Sequence, residues 1–66
     1  MKTRFYIIDL DKGDRFGPFY DLWSAKGKAK VSGMRCAVVD DMNVVLCGYT
    51  PSGREIEAKE AVANHA

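Results

Sequence analysis

Cys36, Cys47, the carboxylates of Asp9, Asp11 and Asp14, the Asp40-Asp41 pair and His65 are the side chains of this sequence with catalytic or metal-binding chemistry to offer, and their spacing argues against each use. Two cysteines so far apart fall short of a zinc site unless a second chain completes it. Each lies within an apolar, strand-like run, which predicts reduced, buried core thiols; a cross-strand disulfide or a redox pair is the other reading. The D-x-D-x-x-D run from Asp9 to Asp14 has the alternation of a calcium loop. Lys12 sits inside it, however, and no bidentate glutamate follows at the needed spacing, so the carboxylates are expected to cap a turn. Asp40 and Asp41 as strand neighbours would point to opposite faces instead of sharing a proton, and turn chemistry again explains them. His65, the sole histidine, lies one residue from the end of the sequence, where a frayed tail is a better reading than a general base. No nucleophile, base and enclosed site come together, and the expectation is a non-enzymatic protein with no metal or cofactor.

Binding is the chemistry left. Between Leu22 and Val39 the cations Lys26, Lys28, Lys30 and Arg35 occur with no acid. At about 100° per residue, Trp23, Lys26 and Lys30 share one side of a helix, where lysines could hold phosphates and the indole could stack on a base. The plainer reading is a solvated helix flank with Trp23 partly packed on a sheet. A net charge of +1 gives no strong overall attraction to nucleic acid or to an anionic membrane, so any such effect is local.

The elements that must position these residues are legible in order. Thr3 to Leu10 reads as a first strand, apolar on both faces, with Tyr6, Ile8 and Leu10 on one and Phe5 and Ile7 on the other. Asp11-Lys12-Gly13-Asp14 turns the chain, and Arg15 to Phe19 returns antiparallel, with fraying expected at Gly17-Pro18. Asp21 is the N-cap of a helix whose buried stripe is Leu22, Ala25, Ala29 and Ser32, and Gly33 is its stop. Gly27 in the middle of that helix costs roughly 1 kcal/mol relative to alanine. Met34 to Asp40 and Val44 to Tyr49 form a second hairpin through Asp41-Met42-Asn43. Ser52 and Glu55 then have the spacing of a capping box for a C-terminal helix, with Glu55 and Lys59 as a supporting pair.

The G-P-F step followed by Asp21 and then L-x-x-A-x-x-x-A resembles the strand-to-helix junction of small ββα units, as found in plant AP2-type DNA-binding domains and peptidoglycan-binding SPOR domains. The resemblance is confined to that junction and implies its local fold alone. The whole pattern predicts one α+β domain over residues 1–66, a small antiparallel sheet (ββαββ) with one helix packed on it plus a short C-terminal helix. Forty-seven per cent hydrophobic and 29% charged residues suit a globular chain, and no apolar run approaches a membrane span, so a cytoplasmic location is expected.

One helix cannot cover two apolar sheet faces. The second face needs the C-terminal helix, which would simply bury it, or a symmetry mate or partner protein, and the last two are the functional hint. The expected function is therefore binding of another protein, either a second copy as a homodimer or a larger target, through Phe5, Ile7, Val45, Cys47 and Tyr49. Trp23, Lys26, Lys28, Lys30 and Arg35 would form an electrostatic rim around that centre. In size and layout such a chain resembles the small inhibitors that bacteriophages encode against host proteins or nucleoprotein complexes. A small nucleic-acid-binding protein using the basic helix face is the alternative.

Overall fold

The structure is a computed structural model that describes residues 3–65, apart from the side chains of the last two of these; the side chain of His65 thus lies outside the described residues. Strand β1 (Phe5–Asp9) and strand β2 (Arg15–Phe19) form the first hairpin. Its turn is built as the sequence predicts. The Asp9 carboxylate accepts from the backbone N–H groups of Asp11 at 2.9 Å and Lys12 at 3.1 Å, and Gly13 takes a φ of +79°. Strand β3 (Cys36–Asp40) pairs with the other side of β1, and β4 (Val45–Tyr49) pairs with β3. At the β3–β4 turn Asp40 accepts from the N–H groups of Met42 and Val44, which is the local role expected of it.

Helix α1 (Leu22–Lys30) joins β2 to β3 and lies on one face of the sheet. Asp21 is its N-cap, accepting from the Ser24 N–H at 2.9 Å, and this bond holds the carboxyl below the usual carboxylate range. Ala25 and Ala29 are fully buried and Leu22 is half-buried, so the small side chains let the helix settle closely on Ile7, Val38, Cys36, Cys47 and Tyr49. This is the expected packing on strands one, three and four. Ser32 departs from it: the helix ends before it, and its exposed hydroxyl donates back to the Ala29 carbonyl.

Two bulges reset the strand faces. Between the pairs Phe5↔Phe19 and Ile7↔Phe16, β2 carries one residue more than β1, so β2 continues through the cis Gly17-Pro18 peptide instead of fraying there. Gly17 has a φ of +134°, and a Cβ on it would stand 3.0 Å from the Phe5 carbonyl oxygen, which is why the irregular step falls at a glycine. In β4 the pairs Val38↔Cys47 and Val39↔Val45 leave Leu46 as the extra residue. Cys47 and Tyr49 therefore face α1, whereas Val45 faces the other side.

The C-terminal part differs from the sequence reading. Glu55–Glu57 is a fifth strand, β5, paired antiparallel with β4, and helix α2 (Ala58–His65) starts only after it. The sheet thus has the order β2-β1-β3-β4-β5. Ser52 and Glu55 form no capping box: the Ser52 hydroxyl meets that of Thr50, and Glu55 reaches Tyr49 and Lys26. Strand geometry wins because it pairs the open edge of β4 and buries Ile56 between two exposed glutamates. Helix α2 covers the second face over β3, β4 and β5, with Ala61 packed beside Ala37, Val39 and Ile56. Gly48 permits that approach, since a Cβ there would fall 2.7 Å from the Ala61 Cβ. No described helix is long and apolar enough to cross a membrane.

Candidate functional site

The structure separates the residues that the sequence reading grouped as one interface. Ile7 and Tyr49 are only 2% and 3% exposed, in the core beneath α1, and Cys47 and the half-buried Phe5 pack there too. They are interior residues, which corrects the expectation that they lie on an uncovered face. That expectation put the core helix on the other face of the sheet, whereas α1 packs on these residues, and it assumed unbroken alternation along β4, which grouped Val45 with them. Val45 is on the opposite face, half-buried near Tyr6, Ile8 and Leu10. On that side α2 packs chiefly on β4, and Arg15 forms a partial roof over β1, its guanidinium 4.8 Å from the centre of the Tyr6 ring and hydrogen-bonded to Asn43.

The thiols are ordinary core groups. Cys36 and Cys47 are both free and buried, and burial pushes both thiols up. Among the described residues no three His, Cys, Asp or Glu side chains come together as a metal site.

The exposed chemistry lies on the outer side of α1. Trp23 is 85% exposed, so it does not pack on the sheet even in part. With Lys26 and Lys30 it lines a groove of about 370 Å³ whose far wall is Tyr49 and Glu55, so the predicted side of the helix is realised. Glu55 changes its electrostatics. Its carboxylate accepts from the Tyr49 hydroxyl at 2.8 Å and from the Lys26 ammonium at 3.3 Å, and those bonds, the tyrosine's first, hold it below the usual carboxylate range. Burial, then the Glu55 carboxylate, pushes the Tyr49 phenol well above its ordinary value.

Across the helix, Lys28 borders an almost wholly apolar groove between α1 and β2, lined by Phe16, Phe19, Val31 and Met34 above Ile7. A third depression, bounded by Trp23, Gly27 and Val31, adjoins both. Arg35 does not join this rim. It donates to Asp11 through Nε at 3.1 Å and Nη2 at 2.8 Å, in the segment before β3.

Sequence reasoning missed Glu55, Val31, Phe16, Phe19 and Met34 as parts of this surface. Val31 carries a signal: it falls about 160° around the helix from Ala29, so an apolar side chain there, 79% exposed, has no core to serve. Glu55 carries none, because only strand pairing brings it to Lys26. The chain matches no known family model, no curated protein and no solved structure, and its geometry alone supports the reading that follows.

Proposed function

We propose that this protein is a non-enzymatic module that binds another protein through the outer face of α1 and the adjoining α1–β2 groove. The observation that carries the reading is Trp23. A tryptophan 85% exposed on a helix already anchored by its opposite side buries little of its surface in the fold, yet the indole is among the side chains most enriched at the energetic centres of interfaces. Exposed Val31 and the apolar groove beside Lys28 extend the surface, and Lys26, Lys28 and Lys30 supply its charged rim. Occupancy of that surface would act as inhibition of a larger protein or nucleoprotein target.

The nucleic-acid alternative uses Trp23, Lys26 and Lys30 in the same groove. Glu55 on the groove's far wall disfavours it, placing a carboxylate where a phosphate backbone would run. One experiment separates the two. The intact protein and Trp23→Ala serve as baits for cross-linked capture from native host extract, with and without nuclease, and gel shifts at low salt with single-stranded and duplex oligonucleotides run beside them. The expected result is a protein retained by the intact bait, lost with Trp23→Ala and indifferent to nuclease, while both baits melt alike. Equal recovery with both baits sinks the reading, and nuclease-sensitive recovery transfers it to nucleic acid.

A further inference from the structure

Gly27 is a glycine that the fold does not require. It lies inside α1, where glycine is among the least favourable residues, and its φ is not positive. A Cβ built on it meets nothing within 4 Å, so no neighbour in the chain takes the space that its missing side chain leaves. It is also where the outer grooves meet, one holding Trp23, Lys26 and Lys30 and the other Trp23, Lys28 and Val31. Trp23 precedes it by one helical turn, which puts the exposed indole beside the bare backbone on the same side of the helix.

We infer that Gly27 is a contact notch in which an acidic, amphipathic segment of a partner protein comes close to the α1 backbone, with Trp23 clasping it on one side. This inference rests on the protein-binding reading above and names the partner's chemistry. Charge decides the occupant. Helix α1 carries Lys26, Lys28 and Lys30 around the notch and no acid, and Glu55, which lines the same groove, is already engaged by Tyr49 and Lys26. A second copy seated on the same face would oppose lysines to lysines, and like charges in juxtaposition select against a partner. A polyanionic backbone would satisfy the lysines but leave Val31, Phe16 and Met34 without a use. A segment with carboxylates flanking an apolar stripe answers both sets of groups.

The test is a selection of displayed random peptides on the intact protein, followed by affinity measurement through the fluorescence of Trp23, the only tryptophan. Binding to Gly27→Ala, Gly27→Leu and Trp23→Ala is read by competition with a labelled selected peptide. The selected peptides should be enriched in Asp and Glu around an apolar anchor. Gly27→Ala should weaken them about tenfold and Gly27→Leu further, although Gly27→Ala raises the melting temperature. Peptides that need Trp23 but lack acids, or that ignore Gly27→Ala, overturn this inference and leave the wider reading standing. A lower melting temperature for Gly27→Ala makes the glycine structural and also overturns it, as does self-association in sedimentation that Gly27→Ala abolishes. Absence of any enriched peptide, or peptides indifferent to Trp23→Ala, overturns both.

Discussion

The two faces of the sheet are covered by helices that bury mainly alanine, yet α1 packs on four strands and α2 on three. Helix α1 is tied at both ends, to β2 and to β3, so it must lie across the sheet and touches β1, β2, β3 and β4. Helix α2 follows β5, on the sheet's edge, and packs on β3, β4 and β5. Tyr6 and Ile8 on β1, and Leu10 just after it, are left half-buried, with Arg15 over the Tyr6 ring. The position of each helix along the sheet, more than its apolar content, sets which strands it covers.

Several substitutions break or sharpen that contrast. The largest effect is expected from Ile7→Ala, which hollows the face beneath α1 and should cost about 2–5 kcal/mol, a large share of the stability of so small a domain, read as a fall in the urea midpoint. Gly48→Ala acts on the other face. Its Cβ would press on Ala61 and Ile56, so about 1–3 kcal/mol is expected, concentrated in α2 as faster amide exchange there. If Gly48→Ala instead unfolds the whole chain as Ile7→Ala does, the two faces are one cooperative unit and the contrast fails.

Tyr49→Phe is smaller, about 0.5–1.5 kcal/mol for the lost hydrogen bond to Glu55, and its signature is in pH. The Glu55 carboxyl is depressed in the folded state, so its contribution is present above its unfolded pKa and is lost as pH falls through the folded value. The Tyr49 phenol is raised, so its contribution is present below about pH 10 and declines above it. Tyr49→Phe should flatten both limbs of the stability–pH curve, and unchanged limbs would show that the contact contributes nothing. Gly27→Ala is the least, a gain of up to about 1 kcal/mol from helix propensity alone, checked by thermal melting.

How much of this was legible in the sequence divides along the range of the interactions involved. Asp21 as the N-cap, Ala25 and Ala29 as the buried stripe and the Asp9 and Asp40 turns are all decided by groups within a few residues of one another, and the structure has each where the pattern places it, whereas the helix stops at Lys30, short of the expected Gly33. Val31 and Trp23 were legible as residues off the buried stripe, though not Val31 as a neighbour of Phe16 and Met34.

Only the tertiary structure decided the fate of Glu55–Glu57. The Ser52–Glu55 spacing offers a local helix cap, but an unpaired β4 edge offers a ladder, a burial site for Ile56 and two partners for Glu55, and these outweigh the cap. The same holds for the faces of β4. Alternation predicts Val45, Cys47 and Tyr49 together, and one extra residue at Leu46 sends Val45 to the opposite side. A bulge is settled by what the neighbouring strand and the two helices can accommodate at once, and no stretch of β4 read alone contains that information.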